Sequence, residues 1–320
     1  DSPVELASEG VTLSGAGADS VTLNASVEVN ADSVTAEGVT VANDSDPAVN
    51  ATGVTGFTFR DSAVEYGAEN TAVLVDFDGA ASGATATVDN VDITASDLTV
   101  NNGDVGLNLT NVSADDSVTV TNNDFDGFQT QIDGGANVDE TTLLNGNSFN
   151  QSAVALNSSG VVQGDAIFGS INSADGVASN GDTISVGAGV YDGDTVEIDT
   201  NETSVEGDSR DTVTINNAVD LNASTSVNVS NVTITDTLNA TDTSNDPAVS
   251  LETIGLETGA VDIQDAGDLT IDDADFDSPG AAPITVGDDT ASASISNIDA
   301  TNVGDSDGIL FTAASSDVSV

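Results

Sequence analysis

Hydrophobic residues in this chain recur at alternate positions in short runs, and polar or small residues separate the runs every few positions. Residues 11–13, 21–23, 27–29, 118–120 and 213–215 are examples, each with a polar residue between two apolar ones. Such alternation indicates half-buried β-strands, because successive side chains of a strand point to opposite faces. No apolar face with a 3.6-residue period persists. The pattern therefore predicts an all-β protein.

A second motif has an apolar residue, a polar pair and a further apolar position. It begins at residues 88, 109, 120, 144, 229, 271 and 295. Several separations are 21, 24 or 42 residues, although the step from 109 to 120 is only 11. Turns of about 21–24 residues, with three short strands and polar corners, are typical of a solenoid. Antiparallel sandwiches also use short strands, but Asn-Gly and Asp-Gly hairpin signals are few here.

A long internal repeat supports this interpretation. Residues 4–31 align without a gap on residues 196–223, and ten of the 28 pairs are identical. Residues 46–49 reappear at 246–249, and residues 115–120 are echoed at 315–320. We expect residues 1–165 to form one unit that lacks its N-terminal lead-in, and residues 166–320 to form a second tandem unit truncated at its C-terminal end.

Residues 181–191 (GDTISVGAGVY) give the first family resemblance. This stretch resembles the segment that opens right-handed parallel β-helix proteins of the pectate-lyase-like superfamily, in which a short helix comes before the first strands. The resemblance implies a right-handed parallel β-helix with one short helix near residues 167–178. The chain is also similar in character to acidic, sequon-rich secreted and surface β-helix proteins of halophilic archaea. One fold hosts many activities, so the resemblance is weak for function.

The charge balance is extreme. The chain has 55 acidic residues and only two basic ones, Arg60 and Arg210, for a formal net charge of −53. Self-repulsion of this size destabilises a compact state at low ionic strength. At ~1 M salt the Debye length falls to ~3 Å and most of the repulsion is screened. Because the acids are spread evenly along an alternating apolar pattern, we favour a folded protein of a high-salt organism over a disordered acidic chain.

Composition also excludes several function classes. Nucleic acid would be repelled, since counterion release needs Lys or Arg. No apolar run approaches the ~20 residues that a membrane helix needs. The absence of His and Cys removes Ser-His and Cys-His nucleophiles as well as disulfides. Residues 1–3 show no secretion signal, so we expect any signal peptide to lie outside this sequence.

Enzymatic chemistry has few candidates. The superfamily that the chain resembles includes lyases with an Arg or Lys base, but Arg60 and Arg210 are each interpreted as counter-charges to nearby acids. Hydrolases of that fold use paired carboxylates, which arise here by chance among so many acids. We therefore predict that the protein is not an enzyme and has no catalytic or cofactor-binding residues.

The tripeptide Asp-Phe-Asp occurs three times and is the candidate metal site. Its aspartates are Asp76, Asp78, Asp124, Asp126, Asp275 and Asp277. In a strand both carboxylates would face solvent while the Phe packs inward. The favoured interpretation is a turn that buries one Phe between two solvating acids. The alternative is a weak Ca²⁺ or Mg²⁺ site of oxygen ligands.

Asparagine is abundant and carries two further predictions. Twelve Asn-x-Ser/Thr sequons favour an exported glycoprotein, at Asn24, Asn43, Asn50, Asn108, Asn111, Asn150, Asn157, Asn201, Asn222, Asn228, Asn231 and Asn239. A second set is predicted to form stacked ladders at the corners of the solenoid, at Asn90, Asn111, Asn122, Asn147, Asn231 and Asn297.

These observations favour a structural extracellular module. Tandem β-helix repeats would form a salt-adapted cell-surface filament, sheath or adhesin stalk, with neighbouring copies or tandem units and hydrated cations as its partners. A glycan-binding surface or viral fibre module is the alternative, although only Tyr66, Tyr191 and a few Phe could supply the aromatic surface that glycans need. A polysaccharide lyase or hydrolase is a third hypothesis.

Overall fold

The computed structural model is built almost entirely of short parallel strands. It describes residues 2–43, 46–68, 70–95, 104–134, 137–138, 143–144, 146–150, 161–163, 166–192, 194–223, 225–240, 247–264, 266–277, 283–287, 290–301, 309–311 and 317–319. Two compact units divide at Ser170 and Ile171. In both, each turn of the chain adds one strand to each of up to three parallel ladders, here named I, II and III. The all-β parallel solenoid is therefore confirmed.

Unit 1 contains the following strands. Ladder I joins Val4–Leu6 (β1), Val27–Val29 (β4), Val49–Thr52 (β7), Thr71–Asp76 (β9), Val105–Thr110 (β11) and Thr130–Asp133 (β14). Ladder II joins Thr12–Ser14 (β2), Thr35–Glu37 (β5), Phe57–Tyr66 (β8), Thr85–Ala95 (β10) and Ser117–Thr121 (β12). Ladder III joins Thr22–Leu23 (β3), Thr40–Ala42 (β6), the second halves of β8 and β10, Asp124–Asp126 (β13) and Ser148–Asn150 (β15).

Unit 1 ends in an antiparallel pair. Val161–Gln163 (β16) pairs with Ala166–Phe168 (β17), and β17 in turn pairs antiparallel with β14. The start of the predicted helix near 167–178 is therefore strand. The helix itself is confirmed with shorter bounds, Ile171–Asp175 (α1).

Unit 2 repeats the same plan. Ladder I joins Val196–Ile198 (β20), Val219–Leu221 (β23), Leu238–Ala240 (β26), Val261–Ile263 (β28), Ile284–Val286 (β30) and Ile309–Phe311 (β32). Ladder II joins Thr183–Val186 (β18), Thr203–Gly207 (β21), Ser226–Ser230 (β24), Ala248–Leu256 (β27), Asp268–Asp277 (β29), Ser292–Thr301 (β31) and Asp317–Ser319 (β33). Ladder III joins Gly189–Tyr191 (β19), Val213–Ile215 (β22), Thr233–Ile234 (β25) and the second halves of β27, β29 and β31.

The sequence repeat coincides with equivalent strands. An offset of 192 residues carries β1, β2 and β3 onto β20, β21 and β22, one whole turn. The match of residues 46–49 with 246–249 is different, because it opens ladder I in unit 1 (β7) and ladder II in unit 2 (β27). The two segments of the second match therefore both lie at the beginning of a strand, but the two strands occupy different positions in the turn.

The turns are mostly as long as predicted. Ladder partners in unit 2 follow one another at Ile184, Val205, Val229, Leu251 and Ile271, steps of 21, 24, 22 and 20 residues. In unit 1 the steps from β8 to β10, from β9 to β11 and from β10 to β12 are longer, at 29, 34 and 32 residues. The half-length step from 109 to 120 also has an explanation: β11 and β12 lie on different ladders of the same turn.

The core is a narrow column of inward-facing aliphatic and phenyl side chains. Val27, Val49 and Val73 are stacked partners in ladder I, and all three are fully buried. Each buried aliphatic side chain contributes roughly 1.5–3 kcal/mol relative to exposure. In unit 1, Phe125 and Phe149 also stack on consecutive turns with ring centroids 5.6 Å apart. Because side chains alternate between the two faces of a strand, the apolar residues point into the core and the acids point outward.

Candidate functional site

The three Asp-Phe-Asp tripeptides place their phenyl rings inside the solenoid, as predicted. Phe77, Phe125 and Phe276 are 5 %, 0 % and 1 % exposed. The tripeptides do not come together, because they lie on ladder I of unit 1, ladder III of unit 1 and β29 of unit 2. Each aspartate pair therefore has to be judged by its own surroundings.

Asp76 is held by hydrogen bonds from the protein itself. Its Oδ1 accepts from the backbone N–H of Asp78 at 2.9 Å and from Nδ2 of Asn111 at 2.8 Å. Partial burial acts to raise the pKa of Asp76, but these bonds, with one from Thr110, lower it overall. The Oδ1 atom of Asp76, which would be a ligand in a metal site, is thus already occupied by hydrogen-bond donors of the protein.

Asp124 and Asp126 are both partly buried. Burial raises the pKa of both carboxyls, and the neighbouring charges of Asp92 and Asp124, respectively, add to the rise. Oδ1 of Asp126 is buried without a hydrogen-bond partner. Among the residues that the structure describes, however, no group of three or more acidic side chains is arranged to hold a metal ion. The Ca²⁺ or Mg²⁺ hypothesis stays a prediction.

Asp275 pairs with Arg210 instead of facing solvent alone. Nη2 of Arg210 lies 3.0 Å from Oδ2 of Asp275, and Nη1 lies 3.8 Å from Oδ1 of Asp273. Nη1 also donates to the carbonyl oxygens of Ile254 and Asp273, each at 3.4 Å. Arg210 lies just before β22, and its side chain therefore extends across the turns as far as β29. Asp277 is the last residue of β29.

A groove of about 450 Å³ surrounds Arg210 on the outer face of ladder III. A Cβ at Gly255 would lie only 2.8 Å from Oγ1 of Thr233, while its 3.5 Å distance to Cδ of Arg210 would be an ordinary contact. The acids lining the groove are Asp211, Glu257, Asp275, Asp277 and Asp299. With five acids against one arginine, the groove would repel an anionic ligand.

Arg60 is also paired with an acid. Its Nη2 lies 2.6 Å from Oε2 of Glu37 on the preceding turn, and its Nε donates to the same oxygen. The Arg60 side chain is half exposed and that of Glu37 less so, and their hydrogen bond raises the pKa of Arg60. Such exposed pairs contribute little to stability. Both arginines thus have the acidic neighbours that sequence reasoning expected.

Corner asparagines bond mainly to aspartates of a neighbouring turn. Nδ2 of Asn90 donates to Asp61 at 2.9 Å, Nδ2 of Asn122 to Asp89 at 2.9 Å, and Nδ2 of Asn297 to Asp272 at 2.7 Å. Hydrogen bonds between turns therefore exist at these corners, but they join an amide to a carboxylate and not one amide to the next as predicted. Such pairing places a donor beside each charge, which a stack of identical amides would not do.

One buried asparagine, Asn123, was not predicted. Asn123, only 2 % exposed, donates to the carbonyl oxygen of Val88, while its Oδ1 accepts from the backbone N–H of Val91. Its Nδ2 also donates to Oδ1 of Asn147 at 3.0 Å. In the sequence this site is visible only as two consecutive asparagines, Asn122-Asn123, and the sequence does not indicate which of the two side chains points inward.

The sequons differ in their surroundings. Asn24, Asn111 and Asn222 are exposed, and Asn43, Asn50, Asn108, Asn201, Asn228, Asn231 and Asn239 are partly buried. Asn157 lies outside the described residues, and of Asn150 only the backbone is described. Nδ2 of Asn50 donates to Glu28 and that of Asn239 to Asp220, so a glycan at either would lie beside a bond between turns.

Aromatic side chains offer no surface for stacking in the part of the chain whose burial is described. Tyr66 and Tyr191 are 1 % and 7 % exposed, and the Phe residues in that part are buried as well. In the same part of the chain, no helix is long and apolar enough to cross a membrane. No known protein family, curated protein or solved structure matches the sequence or fold of this chain.

Proposed function

We propose that this chain is a structural module of the cell surface of a high-salt organism, whose parallel β-helix units form a filament, sheath or adhesin stalk. The observation that carries the proposal is the regular stacking of turns, in which outward carboxylates are bonded by asparagine, serine and threonine of the next turn. Ladders of backbone hydrogen bonds give stiffness along the stack, and the acidic exterior keeps the material dispersed in brine. The pectate-lyase-like relationship and export through a signal peptide belong to the same proposal.

Electron microscopy of the native material in molar salt, followed by dilution, tests this proposal. We expect regular filaments or sheets with an axial repeat, which dissociate as the ionic strength falls because screening is lost. Dispersed single particles at every salt concentration would contradict it.

The groove around Arg210 supports a second candidate, a glycan-binding module. The absence of a described exposed aromatic and the excess of acids count against it, and against acidic sugars most of all. Titration of neutral and acidic oligosaccharides into the protein and into Arg210→Ala, in molar salt, tests it. Binding that the variant loses would support this candidate, and a reducing-sugar assay on the same samples tests for lyase or hydrolase activity.

A further inference from the structure

The outer face of ladder II in unit 1 carries a row of threonines, here called the threonine column. Thr35 on β5 is the register partner of Thr58 on β8, and Thr58 is in turn the partner of Thr87 on β10. Thr119 on β12 is the partner of Thr87 on the next turn. All four side chains face outward, because the residues on either side of each threonine point into the core.

The hydroxyl groups of the threonine column take no part in hydrogen bonds within the described part of the chain. Other outward hydroxyls do bond to a neighbouring turn. Oγ1 of Thr121 donates to Asp89, and Oγ of Ser296 donates to Asp272, both at 2.8 Å. The threonine column therefore presents donors and acceptors, spaced by ~4.8 Å from turn to turn, to whatever lies outside it.

The fold does not require this column to be uncharged. Ladder I of unit 2 sets Glu197 opposite Asp220, and ladder III of unit 1 sets Asp92 opposite Asp124. Acids in register with acids of the next turn are thus accepted elsewhere, in a chain whose net charge is −53. The central outward column of ladder II in unit 2 also lacks acids and contains Ser204, Asn228, Ser250, Thr270 and Ser294.

The borders of the threonine column carry little charge. On one side, Glu37 is paired with Arg60, with 2.6 Å between Oε2 and Nη2, and Asp89 accepts the hydrogen bond from Thr121. The positions two residues before the four threonines are uncharged and exposed or partly exposed: Ser33, Gly56, Thr85 and Ser117. The column thus lies in a part of the acidic surface with few free carboxylates.

The occupant that fits this surface is a second copy of the chain. Two molecules with a net charge of −53 repel each other, and the threonine column is a place where no carboxylate would face another. A hydroxyl both donates and accepts, so the column can bond to an identical column, as an isologous contact requires. A second copy also has the same rise per turn, so the contact continues from one turn to the next.

We propose that the threonine column of unit 1 packs face to face against the same column of a second copy of this chain. Small outward side chains let two sheets approach and interdigitate, as the inner faces of a β-sandwich do. Four turns span only ~14 Å at ~4.8 Å per turn, so the contact is small and each copy binds weakly. The inference rests on the proposed structural function and names a surface through which neighbouring copies meet.

A charge placed in the middle of the column tests the contact. Sedimentation equilibrium in molar salt, over a wide range of protein concentration, compares the unmodified chain with Thr58→Asp and Thr58→Ser. We expect Thr58→Asp to weaken association at least tenfold, because each copy brings a carboxylate into the contact, and Thr58→Ser to associate like the unmodified chain. Leu74→Asp is the control, since it adds the same charge on ladder I, between Asn50 and Asn108, and should leave association unchanged.

Circular dichroism confirms that each variant is folded, and Thr87→Asp replaces Thr58→Asp if the latter unfolds. Association of the aspartate variant as strong as that of the unmodified chain would overturn the column as the contact and leave the structural function standing. An equal loss in Leu74→Asp would overturn it in the same way.

Two further outcomes concern the occupant. An unmodified chain that stays monomeric at every concentration would overturn the self-contact, and dispersed particles of the native material in the electron microscope would overturn the structural function as well. Binding of a neutral oligosaccharide to that monomer, lost in Thr58→Asp, would assign the column to a glycan instead of a second copy.

Discussion

At the scale of single residues, one pair of glycines shows how the backbone of a neighbouring turn limits the size of the side chain that a position accepts. A Cβ at Gly15 would lie 2.0 Å from the carbonyl oxygen of Gly38, and one at Gly207 would lie 2.1 Å from that of Asn231. The two glycines are related by the sequence repeat and have the same surroundings. The repeat thus preserves a close approach of two backbones.

Gly207→Ala is expected to destabilise unit 2 by about 1–3 kcal/mol, because the turn that contains Asn231 must move away from the new methyl group. Thermal and chemical denaturation followed by circular dichroism in molar salt measures this. Gly176→Ala is the matched control, since a Cβ there meets nothing closer than 3.4 Å. Equal stability of the two variants would contradict the steric argument.

The half-buried carboxyl of Asp124 gives a pH-dependent prediction. Burial and then the charge of Asp92 raise its pKa in the folded protein, so ionisation costs more in the folded chain than in the unfolded one. Asp124→Asn should therefore raise Tm at neutral pH, by no more than about 3 °C for a partly exposed group. The gain should shrink as pH falls through the folded pKa and vanish below the unfolded value of ~3.9.

Calcium turns the same variant into a test of the metal hypothesis. If Asp124 and Asp126 bind Ca²⁺, the ion should raise the Tm of the unmodified protein and have less effect on Asp124→Asn. A calorimetric titration in high salt that shows neither heat nor a thermal shift would remove the hypothesis.

At the scale of elements, the corner between ladders II and III depends on residues with left-handed backbone. In unit 2 these are Asn231, Thr253, Asp273 and Asn297, with φ between 53° and 58°. Most L-residues are strained in this region, whereas Asn and Asp tolerate it. The polar pair in the repeated motif therefore bends the backbone at the corner and also carries outward-facing acidic side chains.

Asn297 lets the two roles be separated. Asn297→Gly removes the hydrogen bond to Asp272 and keeps the left-handed backbone, whereas Asn297→Ala loses both. We expect the alanine variant to be less stable than the glycine variant by about 1 kcal/mol in equilibrium unfolding. An alanine variant as stable as the glycine variant would show that the bend costs nothing.

The remaining loss in Asn297→Gly should depend on pH. The side chains of Ser296 and Asn297 lower the pKa of Asp272, so their bonds stabilise the fold above the unfolded pKa of that group. That contribution should disappear as pH falls through the folded pKa. A loss that is the same at pH 7 and at pH 2 would contradict the assignment of the bond.

At the scale of the whole molecule, the net charge of −53 governs the conditions under which the chain is stable. Tm should rise steeply between about 0.1 M and 1 M KCl, over which the Debye length falls from ~10 Å to ~3 Å, and change less beyond. NaCl should act equally, because screening depends on ionic strength. A Tm that is the same at 0.1 M and 1 M salt would contradict an electrostatic origin of the salt requirement.

Much of the fold was predictable because burial in a solenoid repeats at a short period. Alternation identified the strands, the 21–24-residue spacing identified the turn, and residues 181–191 contain the first two strands of unit 2. The bounds of α1 and the long turn between Val73 and Leu107 were not predictable. Both depend on which segment packs against the edge of a strand, and local sequence does not indicate that.

The sequence by itself determined the all-β class, the repeat of one whole turn and the acidic exterior, because composition and alternation act on every residue independently of its partners. Only the tertiary structure decided which acids are paired. It placed Asp76 beside Asn111, joined Asp275 to Arg210 and left Asp124 beside Asp92, contacts between residues that are 32 or more positions apart. Register between turns sets these distances, and a register is a property of two segments together that neither carries alone.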